Sequence, residues 1–331
     1  MVENELGNSG LRAAPIGFGC SALLGRASRS ESLRALAAAW DEGIRLFDVA
    51  RSYGYGQAEA LLGEFLGGKR DQAIIVTKFG IVAAPQPRWK QAAKAIARRV
   101  VAVAPSARAL LRKGAAGQFS ANQFTLQVLQ ESIEASLKAL RTEYVDMLLL
   151  HAAPASVLQQ DDLLDAMSCL VDAGKVRLCG LASDPEVVEI ALQQTPSLRA
   201  MQFPSNVFGL DSATRIAASN SRNCALIGNH PMGGTERAQR CKAILQRLAE
   251  QPGLEPELRG KLARIDDTVL GDVILNVILR DTGIHAVVVS MMKVEHIKSN
   301  VRAIDRSIFT SGEIQVIRSL LLNSQPSPAA Q

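Results

Sequence analysis

The chain has 331 residues, of which 47% are hydrophobic, 21% charged and only 4% aromatic. Such a composition is typical of a globular chain, and an α/β barrel commonly reaches this length as one domain. The scarcity of aromatic side chains argues against a base-stacking surface for single-stranded nucleic acid.

The formal net charge of +5 is unevenly distributed, because no acidic residue lies between Asp71 and Glu131. The basic residues of that stretch are Lys78, Arg88, Lys90, Lys94, Arg98, Arg99, Arg108, Arg112 and Lys113. We interpret the segment as a solvated, partly helical insertion. The alternative is a patch for an anionic substrate, a cofactor phosphate or an acidic partner.

The chain carries no sign of export or of a membrane anchor. Its acidic first residues lack an apolar signal region, and no apolar run approaches the roughly 20 residues that span a bilayer. The cysteines are scattered and odd in number, and the histidines lack metal-ligand spacing. We therefore predict a cytoplasmic protein without a metal site or a membrane contact, either a monomer or a weak oligomer.

Short apolar strands alternate with amphipathic helices along the chain. The predicted strands are 14–19, 46–48, 73–78, 146–151, 176–182, 200–206, 225–230 and 286–290. The predicted helices are 30–43, 58–65, 125–140, 161–173, 184–194, 212–221, a longer region over 235–281, and 294–304. Residues 1–8 and 324–331 have the character of tails.

Eight strand-helix units predict an α/β fold, namely a single-domain (β/α)8 TIM barrel. We place the barrel at residues 11–322 and a flexible tail at 323–331, with an extended basic loop after strand 3 at 81–123. A doubly wound sheet is the alternative. The barrel is favoured because ionisable residues end several strands, and in a barrel those ends converge on one opening.

Four such residues stand at or just after the ends of successive strands. Asp48, Lys78 and His151 end strands two, three and four, and Tyr53 follows Asp48 closely. If those strands are parallel neighbours about 4.8 Å apart, their side chains share one rim. A lysine beside the phenol would lower the pKa of Tyr53 from its reference near 10 and make it a usable general acid.

Two glycine pairs could contact phosphate, but neither is a specific signal alone. The run from Gly54 to Glu59 lacks the third glycine of a dinucleotide fingerprint, so we interpret it as turn geometry. Gly233 and Gly234 follow the seventh strand, which is a recurrent phosphate position in barrels. Gly19, at the end of the first strand, lets the backbone pass close to a bound group.

These features resemble the aldo-keto reductases. The resemblance lies in the run 43–63 with its Phe-Asp-x-Ala-x-x-Tyr-Gly-x-Gly core, in 77–79 and in 146–151, and it covers the chain from about 11 to 304. It implies a barrel that reduces aldehydes or ketones with a nicotinamide cofactor. The implied roles are proton donation by Tyr53, tuning by Lys78 and Asp48, and orientation of the carbonyl by a neutral His151.

Several residues at the positions that contact the cofactor in the family differ from the family pattern. Gln202 and Asn300 match the residues that hold the nicotinamide carboxamide and the adenine, but Ala182-Ser183 replaces a Ser-Asn pair. Asn229 replaces the aromatic that stacks on the nicotinamide. The two positions that offer an arginine to the 2′-phosphate hold Met292 and His296, which leaves Lys293, Lys298 and Arg302 as sources of positive charge.

The resemblance therefore predicts an NADP(H)-dependent aldo-keto reductase, with NAD(H) possible. The predicted cofactor contacts are Gly19, Asp48, Ser183, Gln202, Lys293 and Asn300. The substrate would be a small carbonyl compound, or an alcohol in the reverse direction. We expect an apolar cleft with walls from Leu23, Leu24, Tyr55, Phe79, Trp89 and Phe208. The alternative is a catalytically weak regulatory module that docks an acidic partner through residues 78–113; nucleic-acid binding is not expected.

Overall fold

Eight parallel strands close into a barrel in the computed structural model, which describes residues 1–83, 119–250, 253–280 and 282–323. The strands are β1 Ile16–Gly19, β2 Leu46–Asp48, β3 Ile74–Phe79, β4 Val145–His151, β5 Val176–Ala182, β6 Ala200–Pro204, β7 Ala225–Asn229 and β8 Ala286–Val289. Each pairs with the next, and β8 returns to β1. The (β/α)8 prediction is confirmed, and the doubly wound sheet is excluded because this sheet has no open edge.

Helices follow the strands and pack on the outside of the barrel. They are α1 Arg29–Asp41, α2 Ala58–Phe65, α3 Leu126–Leu140, α4 Asp161–Asp172, α5 Pro185–Gln194, α6 Leu210–Ser219, α7 Thr235–Ala249, α8 Pro256–Ala263, α9 Asp267–Leu279, α10 Val294–Asp305 and α11 Ser311–Asn323. The long region predicted over 235–281 is thus three helices, and α11 was not predicted. Among the described residues, no helix has both the length and the apolar character needed to cross a bilayer.

Local signals explain where several helices begin. Ser28 accepts a hydrogen bond from the Glu31 backbone while the Glu31 carboxylate accepts one from the Ser28 backbone, which is a capping box at the start of α1. Thr125 caps α3 through the Val128 amide, and Asp266 caps α9. These caps satisfy amides that a helix start leaves without partners, so the sequence fixes these helix starts locally.

The barrel interior is apolar at the bottom and polar at the top. Side chains alternate between the two faces of a strand, and the inner cluster contains Leu46, Ile74, Val76, Met147, Leu149, Ala200, Ala225 and Ile227. Two residues further along the same strands, the inward positions are Asp48, Lys78, His151, Gln202 and Asn229. The period of two therefore places five polar side chains in one inward layer at the barrel mouth.

The first residues are part of the fold, so the prediction of a tail over residues 1–8 was wrong. Asn4–Glu5 pairs antiparallel with Arg12–Ala13, and Leu6, Leu11 and Ala13 join the inner cluster. This hairpin supplies apolar side chains to the lower end of the barrel interior. The first residues are mostly polar, but the side chain of Leu6 is completely removed from water, and this burial holds the segment against the barrel.

The basic insertion lies largely beyond the described residues. Val82–Ala83 pairs antiparallel with Phe119–Ser120, and the intervening residues 84–118 fall outside the described part of the chain, as do residues 324–331 of the predicted tail. The predictions for the basic side chains of this segment and for Trp89 therefore stay predictions. The short hairpin does fix where the insertion leaves and rejoins the barrel.

A buried carboxylate ties three elements together at the lower end of the barrel. Asp146 is 1% exposed and accepts hydrogen bonds from Arg70 Nη2 at 2.8 Å and from the Ile75 amide at 2.9 Å. Arg177 forms a further ion pair with Asp146 at 3.3 Å. Since a buried charge is stable only when it is paired, this cluster clamps β3, β4 and β5 to the segment before β3.

Replacing Asp146 with alanine should destabilise the fold by about 3 kcal/mol, because it leaves the partly buried Arg70 without its carboxylate. Urea unfolding measures this loss. Glu134→Ala is the control, since it breaks the surface pair with Lys175 and should cost less than about 1 kcal/mol. Equal losses in the two variants would contradict the clamp.

Candidate active site

A buried ion pair lies at the centre of the barrel mouth. Lys78 Nζ donates to Asp48 Oδ1 and, at 3.3 Å, to the carbonyl oxygen of Val49. Gln202 Nε2 donates to the same carboxylate oxygen at 3.0 Å. Lys78 is 2% exposed, and burial alone would lower its pKa. The interactions with Asp48 and Tyr53 outweigh burial, so the pKa of Lys78 is raised and its ammonium form persists.

Tyr53 sits on a tight loop between β2 and α2. Gly54 and Tyr55 both have φ of 58°, in the left-handed region, so the chain reverses sharply just after Tyr53. A side chain at Gly54 would meet the Leu23 carbonyl oxygen at 2.7 Å, which explains why glycine stands there. The glycines after Tyr53 thus serve the turn, as the sequence predicts.

A second buried carboxylate anchors that loop to the strand that carries the lysine. Glu59 is 1% exposed and accepts hydrogen bonds from Arg51 Nη1 at 3.0 Å and from Thr77 Oγ1 at 2.7 Å. Thr77 directly precedes Lys78, and Arg51 lies two residues before Tyr53. Glu59 therefore holds the loop of Tyr53 beside the end of β3.

The tyrosine, the lysine and the histidine meet at the opening. The rings of Tyr53 and His151 are edge to face with centroids 5.9 Å apart, and Lys78 Nζ lies 5.2 Å from the Tyr53 ring centroid. The expectation that Lys78 brings the pKa of Tyr53 below its ordinary value was wrong. Burial raises that pKa, Lys78 lowers it, and Asp48 raises it again, so the net shift is upward. Tyr53 is consequently a protonated phenol at neutral pH.

His151 is neutral, as predicted. Burial lowers its pKa to about 3, and the positive charge of Lys78 acts in the same direction. Its Nδ1 atom is buried and makes no hydrogen bond with any described residue. A neutral imidazole with no acceptor beside Nδ1 favours the tautomer that carries its hydrogen on Nε2. That hydrogen is the group His151 can offer to an oxygen at the mouth.

Two cavities open at this mouth and share Tyr53, Asn229 and His230. The first, of about 170 Å³, runs from Asp48 along the ends of β1 and β8, and it is lined by Gly19, Ser21, Asp48, Tyr53, Asn229, His230, Pro231, Met232, Gly233, Gly234, Val288, Val289 and Ser290. The second, of about 330 Å³, is lined by Tyr53, Lys78, Asn122, His151, Ala152, Ala153, Pro154, Ala182, Ser183, Asp184, Val187, Gln202, Pro204, Asn229 and His230.

The predicted cofactor contacts fall into two groups. Gly19, Asp48, Ser183 and Gln202 line one or the other cavity, whereas Lys293 and Asn300 line neither. Ser183 Oγ donates to the Ala153 carbonyl at 2.7 Å. Lys293 is exposed before α10, while Asn300 is 8% exposed on α10. A Cβ at Gly271 of α9 would lie 3.1 Å from the Asn300 side-chain oxygen, so that oxygen lies against α9.

The apolar cleft expected from the sequence is not where the cavities lie. Of its predicted walls, those in the described part of the chain line neither cavity, and Leu23 and Phe79 are core residues. The cavities have mixed linings instead, and these include polar residues, such as His230 and Ser290, that sequence reasoning missed. Both residues directly follow a barrel strand, which is the signal that could have identified them.

The residues present fit a nicotinamide dinucleotide. Gly234 precedes α7 with φ of 90° and gives it no side-chain cap, so backbone amides at the start of this helix can face the first cavity. Such a helix start suits an anionic pyrophosphate. Ser183 and Gln202 offer polar groups at the other end. Among the described residues, no cluster of three or more His, Cys, Asp or Glu side chains is arranged to hold a metal ion.

Fold and site together define a (β/α)8 barrel with a polar site at the carboxyl ends of its strands. The sequence model of the Aldo/keto reductase family matches residues 15–321, and the chain belongs to that family. Its members interconvert carbonyl compounds and alcohols with a nicotinamide cofactor.

Two curated relatives and one solved structure illustrate the relationship. The chain is 28% identical over 214 residues to the aldo-keto reductase YhdN of Bacillus subtilis, a match that covers 63% of the chain and 55% of that protein. The chain thus spans about half the length of this relative. It is 29% identical over 225 residues to the 6-dehydroglucose reductase of Agrobacterium fabrum. That match covers 65% of this chain and 67% of the relative.

The solved structure is an aldo-keto reductase of Bacillus halodurans in its holo form. It superposes with a TM-score of 0.69 at 20% identity, over 97% of this chain and 96% of that one. At this identity the likeness establishes the shared barrel fold and nothing finer.

The low pKa of His151 has a consequence for stability. The folded protein keeps His151 neutral down to about pH 3, whereas the unfolded chain protonates it near 6.5. The unfolded state therefore binds more protons in this window, and stability present above pH 6.5 is lost as the pH falls. The expected loss is about 2 kcal/mol between pH 6.5 and 5, at about 1.4 kcal/mol per pH unit.

His151→Gln removes this contribution, so the free energy of unfolding of the parent should fall more steeply with decreasing pH than that of the variant. Urea unfolding of both proteins from pH 7 to 4 measures the difference, and the carboxylates common to both cancel. A difference that stays constant with pH would show that His151 titrates normally.

Proposed function

We propose that the chain is an NAD(P)H-dependent carbonyl reductase, with Tyr53, Lys78, Asp48 and His151 as its catalytic residues. The observation that carries the proposal is the convergence of a phenol, a buried ammonium-carboxylate pair and a neutral imidazole at one opening. Each group has a distinct task in the addition of hydride and a proton to a carbonyl group.

The role of each residue follows from its protonation state. When bound at the mouth, a nicotinamide cofactor would supply the hydride for the carbonyl carbon. His151 gives a hydrogen bond from Nε2 to the carbonyl oxygen and orients it, and its low pKa keeps the imidazole neutral, so that the proton is left to Tyr53. Tyr53 gives its phenolic proton to the same oxygen as negative charge grows there.

Lys78 acts after the proton has left Tyr53. Its ammonium group, 5.2 Å from the ring centroid, stabilises the phenolate by direct electrostatic attraction. Asp48 and the Val49 carbonyl oxygen hold that ammonium group in place. The raised pKa of Tyr53 fits a proton donor that is fully protonated before the substrate binds. Oxidation of an alcohol uses the same residues in reverse.

The proposal also assigns individual residues to the parts of the cofactor. Gln202 gives its amide hydrogen to Asp48, so its carbonyl oxygen is the atom that can accept from the nicotinamide carboxamide. Gly233 and Gly234 with the start of α7 would take the pyrophosphate, and Gly19 would let the chain pass close to it. Lys293 would attract the 2′-phosphate of NADP(H), and Asn300 would contact the adenine.

The substrate proposed is a small carbonyl compound, because the cavity of about 330 Å³ that contains His151 and Lys78 also contains Ser183 and Gln202 and would have to hold the nicotinamide ring as well. The polar side chains in its mixed lining suit a hydroxylated compound, and the Agrobacterium fabrum relative is named a 6-dehydroglucose reductase. A regulatory module without turnover is the second candidate. Most of its proposed docking segment, residues 84–113, lies outside the described residues, and cofactor binding with turnover would rule this candidate out.

Tyr53→Phe should lower kcat/KM for aldehyde reduction by about 10²- to 10⁴-fold, because it removes the proton donor. The rise in Tm on adding NADPH should remain, since the ring stays in place. Tyr144→Phe is the control at the other end of the barrel, where its hydroxyl lies 3.5 Å from Asp71. A Tyr53→Phe enzyme as active as the parent would contradict the assigned role.

Both NADPH and NADH should raise the Tm, with NADPH more effective because its extra phosphate meets the positive charge at the start of α10. Lys293→Met should weaken NADPH binding about fivefold in a fluorescence titration and leave NADH binding unchanged. Lys175→Met, which removes a distant surface charge, should change neither. An equal loss for both cofactors would argue against a phosphate contact, and absence of any binding would favour the regulatory module.

A further inference from the structure

Tyr53 is carried by a loop that leaves the sheet. The hydrogen-bonded ladder between β2 and β3 ends where the Val49 amide donates to the Val76 carbonyl oxygen at 2.8 Å. Over residues 50–57 the chain forms turns, and the Tyr53 amide donates to the Ala50 carbonyl oxygen within the loop at 3.0 Å. The position of the phenol therefore depends on how this loop is attached to β3.

The Glu59 carboxylate, in the first turn of α2, supplies such an attachment with both of its oxygens. Oε2 accepts from Arg51 Nη1 in the loop at 3.0 Å, and Oε1 accepts from Thr77 Oγ1 on β3 at 2.7 Å. Glu59 is 1% exposed, and Thr77 is fully buried. Because water cannot replace either partner of a buried hydrogen bond, the hydroxyl and the carboxylate keep their geometry.

The attachment lies on the outer face of the barrel wall. Side chains alternate along β3, so Thr77 points outward to α2 while Lys78 points into the mouth. Neither Glu59 nor Thr77 lines either of the two cavities. Any effect of this pair on a reaction at the mouth must therefore pass through the position of Tyr53.

The ammonium group of Lys78 has an attachment of its own. It donates to Asp48 and to the Val49 carbonyl oxygen, so release of the loop leaves it in place. The quantity that changes is the separation of Lys78 Nζ from the Tyr53 ring centroid, which is 5.2 Å here. The attraction that stabilises a phenolate weakens as this separation grows, and a small misplacement of a reacting group slows a reaction strongly.

We infer that Glu59 is a positioning residue, which sets the distance between the phenol of Tyr53 and the ammonium group of Lys78. The inference rests on the proposed function and adds to it a residue that lines neither cavity. A different role for the same carboxylate is stability alone, since a negative charge in the first turn of a helix is favourable. The experiment separates the two roles.

Thr77→Val removes the hydroxyl at nearly unchanged size, and Thr77→Ser keeps it. In stopped-flow measurements with NADPH and lactaldehyde, Thr77→Val should lower the single-turnover rate about tenfold, because the phenol is misplaced. The Kd of NADPH and the KM should stay within about twofold, since the cavity linings are unchanged. Thr77→Ser should react at nearly the parental rate. Glu59→Gln should be slowed like Thr77→Val, and the double variant should be no slower than either, because each change breaks the same link.

Asp146→Asn is the matched control. It also neutralises a buried carboxylate that joins an arginine to β3, but at the opposite end of that strand. It should lower the Tm and leave the single-turnover rate unchanged. Parental rates in both Thr77→Val and Glu59→Gln overturn the inference. An equal loss of rate in Asp146→Asn overturns it as well, because the effect would then belong to stability alone.

Hydrogen exchange of residues 50–57, followed by mass spectrometry, measures the attachment without turnover. Exchange should be about tenfold faster in Thr77→Val and Glu59→Gln than in the parent, and unchanged in Thr77→Ser and Asp146→Asn. If the parent reduces neither lactaldehyde, glyceraldehyde nor 2-butanone, the proposed function fails, and unchanged exchange would overturn the inference even then. If the parent is active and the Thr77 and Glu59 variants react at its rate, only the inference fails.

Discussion

The site depends on one buried ion pair, between Lys78 and Asp48. An ammonium group that is 2% exposed is stable only beside a matching carboxylate, and the strands β2 and β3 supply both groups from adjacent positions of the sheet. Once paired, Lys78 stays charged and cannot move away from the mouth. That fixed charge acts on both neighbours, because it opposes the burial effect on Tyr53 and adds to the burial effect on His151. Burial sets the direction of both pKa shifts, and this one charge reduces the shift of the phenol and enlarges that of the imidazole.

The barrel makes this arrangement possible through its period-two alternation. Ile74, Val76 and Lys78 all point inward from β3, so the same strand that fills the interior with apolar side chains delivers a charge at its upper end. The lower interior is closed by apolar contacts, including those of Leu6 in the N-terminal hairpin. Water is therefore kept from below the ion pair, and the polar layer opens only toward the mouth. Closure of the sheet is what turns separate strand ends into one site.

The order of the strands and the residues at their ends could be predicted from the sequence, because both follow from local patterns. Apolar runs that stop at Asp48, Lys78 and His151 are visible without any knowledge of packing. The direction of the pKa shift of Tyr53 could not be predicted this way, since it is the sum of burial, attraction to Lys78 and repulsion from Asp48. The burial of Leu6 was equally hidden, because it depends on a contact with strands far along the chain. Sequence patterns thus identified the side chains that meet at the mouth, and long-range packing determined their energetics.

The polar atoms of the mouth divide into two kinds, and this division separates scaffold from site. Asp48 accepts from Lys78 and from Gln202 through one oxygen, and so it belongs to the framework. His151 Nδ1 and Asn229 Oδ1 are buried without hydrogen bonds to the described residues, although both side chains are held by rigid strands. The mouth thus pairs the polar atoms around Asp48 and leaves these two without partners, so the protein has not minimised its own energy there. The unpaired atoms mark where a ligand gains most by binding, because the protein has already met the cost of desolvating them.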